Sequence, residues 1–211
     1  MSLLTNWGYT LTGLDALPDM LTAEELNSFT GGRYSGDVRI AGNIKAVSEA
    51  IREYCGWHVY SSAACSWSGR MLSANVAVNH LSRGSEVLIQ LPARYVTAVA
   101  SVTLDGTVLD PSRYILETSG LLRLLGVWAD PYAPITVEYT AGLPDALMGS
   151  IKELVANRVT HALASSNGIT SEASGGVSIT YNSSWVSGSR ATALTDDTRE
   201  LLTPYRLQGV F

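Results

Sequence analysis

The sequence predicts an α+β fold, and three observations carry that expectation. Residues from about 57 to 141 contain consecutive strand-like runs with no helix-forming stretch between them, which excludes a βαβ arrangement. Within that zone Asp105-Gly106 stands between the β-rich runs VTAVASVTL and TVL, the strongest short-range hairpin signal a sequence carries. On either side lies a stretch with apolar residues at helical spacing. The order is therefore helix, inserted sheet, helix, flexible segment, helix.

Residues 1–42 read as a loose N-terminal arm with one short helix. In LTAEEL, Thr22 stands three residues ahead of Glu25, a capping-box spacing that satisfies orphan amide donors, and Gly31-Gly32 ends the turn. NIKAVSEAIREYCG then predicts a core helix over 43–56, with Asn43 as its cap and Gly56 at the left-handed C′ position. Ile44, Val47, Ile51, Tyr54 and Cys55 share one face of it, and Lys45, Glu49, Arg52 and Glu53 the other. The inserted β-rich domain, 57–141, contains SEVLIQLP, RYILE, LLRLL and ITVEYT besides the hairpin, with Pro92, Pro111, Pro131 and Pro134 at joins or edges. A second core helix over 142–164 has Pro144 just inside its start and a stripe of Leu147, Ile151, Leu154, Val155, Val159 and Ala162. The Ser/Gly-rich stretch 165–190 cannot fill a core and reads as a flexible loop or arm, although GVSITY within it alternates like a strand. TDDTRELL forms a C-terminal helix within 191–211, capped by Thr195, with two acids where the helix dipole favours them.

At 211 residues the chain has room for one large domain or a domain with an elaboration, and it buries roughly 70% of its extended surface without staples. With 46% hydrophobic and 16% charged residues and a mean hydropathy of +0.13 it has the composition of a soluble globular protein. No run reaches the roughly 18 apolar residues of a membrane span. The first ten residues lack a basic stretch followed by an apolar one, so no export signal is expected. Cys55 and Cys65 allow one bridge at most and read as free thiols of a reducing cytoplasm. The net charge of −5 and the scattered arginines argue against gripping a phosphate backbone, which needs clustered cations.

IREYCGWHV places Cys55 and His58 three apart. They could be a nucleophile with its base or half a metal site. Cys55, however, shares the apolar face of its helix, where a buried thiol is inert, and no third orienting group lies nearby. His80 and His161 are far off in sequence, and no second CxxC or HxxxH pair completes a metal site. CGWH thus reads as a helix stop feeding a strand, with Trp57 as a core or interface anchor. Motifs for phosphate loops, dinucleotides, hydrolase elbows and zinc proteases are missing. The paired acids Glu24–Glu25 and Asp196–Asp197 fall in first helical turns, where capping explains them. No catalytic, metal or cofactor site is expected. Arg158 lies near the centre of an apolar stripe, either snorkelling its stem over the core or meeting a carboxylate across a subunit boundary. Trp7, Trp185 and Phe211 sit in segments that look unpacked and are candidate anchors for a partner.

The succession AVSEAIREYCGWHV, LPARYVTAVASVTLDGTVL with RYIL, GLLRLLGVWADPYAPITVEYTAGL and finally LLTPYRL resembles head-to-tail adaptor proteins of tailed bacteriophages, those of actinobacterial phages in particular, within the gp6-like connectors. The resemblance covers roughly residues 40–207, and none of its signatures is chemically specific. It implies a small helical bundle core with an inserted antiparallel β-sheet domain and extended flexible arms. It also implies a structural role at the head–tail junction of the virion. Copies would form a ring, usually of twelve, beneath the portal protein and join the head to a stopper or tail protein, while genomic DNA passes through without sequence-specific binding. Tyr205, Arg206 and Leu207 match its terminal PYR signature and are expected to pack on the core or a neighbour. A ring needs two different surfaces per subunit, and a weakly negative wall would let DNA slide. The 164–190 segment is expected to order on assembly.

Overall fold

The computed structural model describes residues 2–70, 86–117, 120–126, 130, 132–165, 171–174, 177–180 and 194–207. They form strands β1 (Ser2–Leu4), β2 (Tyr9–Thr12), β3 (Ala63–Arg70), β4 (Glu86–Gln90), β5 (Val96–Leu104), β6 (Thr107–Val108), β7 (Tyr114–Leu116), β8 (Leu121–Leu125), β9 (Pro134–Ala141), β10 (Ser171–Ser174) and β11 (Val177–Thr180). The helices are α1 (Ala23–Thr30), α2 (Ile40–Cys55), α3 (Asp145–Ser165) and α4 (Asp196–Leu202). The chain divides into two compact units. The first comprises Met1–Leu17, Cys55–Asp145 and Tyr205–Phe211, the second Pro18–Tyr54 and Ala146–Pro204.

The first unit holds a six-stranded antiparallel sheet in the order β1-β2-β3-β9-β5-β6 and a three-stranded one, β4-β8-β7. This corrects the expected helical bundle core with an inserted sheet: nine strands in two antiparallel sheets dominate the described fold, beside four helices. Nor is the larger sheet an insertion, because β1 and β2 precede the first helix and pair onto β3. The stretch expected to be a loose arm is a hairpin, closed where Thr5 Oγ1 donates to the Tyr9 carbonyl at 2.7 Å.

Alternation explains how the six-stranded sheet forms. Tyr9, Leu11, Cys65, Val102, Ile135, Val137 and Tyr139 are buried on one face. The register places Thr12, Ser66, Ser68, Ser101, Thr103, Thr136, Glu138 and Thr140 on the other. There Ser68 and Thr136 hydroxyls meet at 3.0 Å, and Ser101 donates to Glu138 at 3.1 Å. Asp105 and Gly106 both take positive φ, 49° and 76°, as a two-residue turn between β5 and β6 requires. In the smaller sheet Val87 and Ile89 face Leu124 and Leu122, all buried.

In the second unit Thr22 and Glu25 form the capping box of α1: Glu25 N donates to Thr22 Oγ1 at 3.1 Å and Thr22 N to Glu25 Oε2 at 2.8 Å. Helix α2 begins three residues before the expected cap. Asn43 lies inside it, its amide donating to the Arg39 carbonyl at 3.0 Å. Asp37 organises the preceding turn instead, accepting from the Arg39 amide at 2.9 Å and from its guanidinium at 2.6 Å. The Arg39 pair holds the Asp37 carboxyl down at about 2. Segment 18–20 is tied to α2 by Arg52, which donates to the Pro18 carbonyl, and by Ser48, which accepts from Met20 N at 3.1 Å. The buried stripe of α3 runs through Met148, Ile151, Val155, Val159 and Ala162. Thr195 caps α4, accepting from Thr198 N at 3.2 Å. Strands β10 and β11 form a separate antiparallel pair.

Lys152 of α3 pairs with Glu25 of α1. That hydrogen bond, followed by the Thr22 amide, holds the Glu25 carboxyl below the ordinary glutamate range. A carboxylate with a lowered folded pKa stabilises the protein above its unfolded pKa of about 4.3 and loses that contribution as pH falls. Glu25→Gln should therefore flatten the acid limb of a stability-versus-pH curve between about pH 5 and pH 3. Urea midpoints across that range measure it, and an unchanged slope would show that the pair carries no linkage.

Candidate functional site

The sequence concentrates its candidate chemistry where α2 ends. Gly56, at φ 76°, turns the chain out of the helix and Trp57 and His58 follow it, both fully buried. An Nδ1 contact of 2.8 Å joins His58 to the Tyr9 hydroxyl, and its Nε2 lies 3.2 Å from the Ala141 carbonyl. That carbonyl can only accept, so Nε2 carries the proton and Nδ1 accepts from Tyr9. The Tyr9 oxygen in turn accepts from the His58 amide at 3.0 Å. Both imidazole nitrogens are thereby committed to joining β2, the α2 exit and β9. Such a ring has no free position with which to activate a thiol.

Cys55 is buried at the end of α2, and its carbonyl accepts from Leu207 N at 2.8 Å. Burial pushes its thiol up to about 12, against a smaller opposing pull from Arg206 and Arg94, and burial likewise pushes Cys65 up to about 12. Both cysteines are free. Ellman's reagent at pH 8 is expected to find neither thiol in the native protein and both after denaturation; rapid native labelling of Cys55 would restore it as a candidate nucleophile. Among the described residues no group of three or more His, Cys, Asp or Glu could hold a metal ion.

The C-terminal segment completes this centre. Trp57 Nε1 donates to the Tyr205 carbonyl at 2.7 Å, and Arg94 Nη1 donates to the Arg206 carbonyl at 2.8 Å. Leu207 lies close enough to Gly56 that a methyl group there would touch its Cβ at 3.7 Å. Tyr205, Arg206 and Leu207 are thus held by backbone recognition on the joint that starts the sheet. Burial raises the Tyr205 phenol. Trp57 also packs edge-on against His58, ring centroids 5.2 Å apart, and tilts over Tyr95 at 6.0 Å.

Trp7 sits in the β1–β2 turn and stacks at 6.2 Å on Tyr9. Arg158, 7% exposed in α3, has its pKa lowered by burial. Trp185 and Phe211 lie outside the described residues, as does most of the 165–190 stretch apart from β10 and β11. Sequence reasoning missed Tyr9 and Arg94, whose partners lie 49 and 112 residues away. It also missed the sheet edges, where β1, β6 and β7 carry exposed Leu4 (74%), Val108 (65%) and Ile115 (49%). These edges bear no lysine or proline to blunt them. Among the described residues no helix is long and apolar enough to cross a membrane.

No protein-family model matches the chain, and no curated protein matches it either.

Proposed function

We propose that the chain is a structural head-to-tail adaptor of a tailed phage, without catalysis, working at the virion's head–tail junction. It would stand as a ring of copies, twelve in the family it resembles, beneath the portal protein, with a stopper or tail protein below and DNA passing through. The observation that carries this reading is the placement of exposed apolar side chains on edge strands. Leu4, Val108 and Ile115 lie on three of them, where backbone donors and acceptors stand ready for another chain. The commitment of His58 to Tyr9 and Ala141 supports it too, since the imidazole that follows Cys55 is occupied in holding strands together. A carbohydrate-binding module would need aromatic platforms on a sheet face. The outward face of the six-stranded sheet instead presents hydroxyls and Glu138.

Negative-stain imaging of the purified protein and its co-sedimentation with a tailed-phage portal protein test the proposal. Rings, or a complex with the portal, are the expected result. Binding only to a downstream ring would make the protein a stopper or tail-completion protein. Failure to bind any neck protein, together with a turnover abolished by one polar substitution, would overturn the assembly reading.

A further inference from the structure

Two features of the backbone are each incomplete by themselves. Strand β5 runs for nine residues, yet β6 covers only Thr103 and Leu104 of its outer edge. Residues 97–101 therefore present an unpaired row of amides and carbonyls among the described strands. Thr97, Ala98 and Ala100 there are exposed and small, so no bulky, charged or proline residue keeps another strand away.

The second feature is the β10–β11 hairpin. Its strands are four residues each, in register from Ser171↔Thr180 to Ser174↔Val177, and they pair with no other described strand. A lone two-stranded hairpin is marginal in water, because half of its backbone groups face outward and it has no sheet to join. Four residues fit the five-residue gap on β5. Neither partner contains lysine, arginine or proline, and Glu172 brings the only charge, so no like-charge repulsion opposes the pairing.

We propose that the β10–β11 hairpin of one copy adds to the open edge at residues 97–101 of β5 in a second copy, lending each subunit's sheet two strands from its neighbour. The occupant is a second copy because donor and acceptor are present once in every chain. Each copy then offers one arm and one edge, the two unlike surfaces that a head-to-tail ring needs. This deepens the assembly reading above and rests on it.

Two forms of the full chain test it, one carrying Ala100→Cys and the other Ser178→Cys, mixed under assembling conditions and treated with a short bismaleimide. Cys55 and Cys65 are buried and give no background. The expected result is a covalent heterodimer that appears only when both forms are present and is lost when the acceptor copy also carries Ala98→Lys, an edge lysine that the exposed position tolerates. Two results overturn the arm exchange: rings or portal complexes without the heterodimer, or efficient cross-linking inside a single chain carrying both cysteines at high dilution. In either case the adaptor reading stands. A heterodimer from a protein that never binds a portal would keep the exchange and remove the adaptor role, and neither heterodimer nor association would remove both.

Discussion

Gly142→Ala is expected to be the most damaging glycine-to-alanine substitution among the described residues. A Cβ at this position would lie 2.3 Å from Ser62 Cα, 2.4 Å from Ser62 N and 2.6 Å from Ser61 C. All three are backbone atoms, so no side-chain rotation relieves the collision. Only a shift of the strands would, and the site is pinned by Leu143 N donating to the Tyr60 carbonyl at 2.7 Å and by the Ala63↔Ala141 pairing of β3 with β9. Overpacking costs about 1–3 kcal/mol where neighbours can yield and more where they cannot. We expect a loss of about 3 kcal/mol or more, a fall in Tm on the order of 10 °C for a chain of this size. Gly149→Ala is the control. It lies in α3 with nothing within 4 Å of the added methyl, and should gain about 0.5–1 kcal/mol. Calorimetry on both variants decides the matter; equal Tm values would mean that the Ser61–Ser62 backbone yields freely.

Trp57→Ala is expected to cost about 3–5 kcal/mol, the usual penalty for removing a fully buried large aromatic side chain. It also removes the donor to the Tyr205 carbonyl and so loosens the C-terminal segment. Trp57→Phe isolates more of the second effect, because it keeps a buried aromatic ring while removing the Nε1 hydrogen bond together with the rest of the indole. It should cost about 1–2 kcal/mol and speed hydrogen exchange at the Leu207 amide, which donates to the Cys55 carbonyl. If Leu207 exchanged at the native rate in Trp57→Phe, the Trp57–Tyr205 bond would not be what holds the tail.

The elements legible in advance were those whose signals are local. The Thr22–Glu25 capping box, Gly56 at the end of α2, the Asp105-Gly106 turn and the Thr195 cap each follow from residues within a few positions of one another. The start of α2 was misplaced because Asn43 is a good cap by type, whereas Asp37 and Arg39 supply a stronger turn upstream. The β1–β2 hairpin was missed for another reason. YTLT alternates over only four residues and AACSWSGR is built mostly of small ones, so neither stands out as a strand by itself, and the partners that bury Tyr9 and Cys65 lie tens of residues away. The candidate site followed the same division. Cys55, Trp57 and His58 stand out as a cluster in sequence, whereas Tyr9, Arg94 and the Ala141 carbonyl, which decide what that cluster does, do not.

The amino-acid sequence by itself determined the caps of α1 and α4, the end of α2, where the chain turns between β5 and β6 and which residues prefer burial, because propensity, capping and alternation act over a few residues. Tertiary structure alone decided that a six-stranded sheet rather than a helical bundle dominates, that His58 ties β2 to β9 through Tyr9 and the Ala141 carbonyl, and that part of the β5 edge is open among the described strands. Those outcomes depend on which distant strands meet, and hydrogen-bond pairing between segments far apart in the chain leaves no periodic trace in either one.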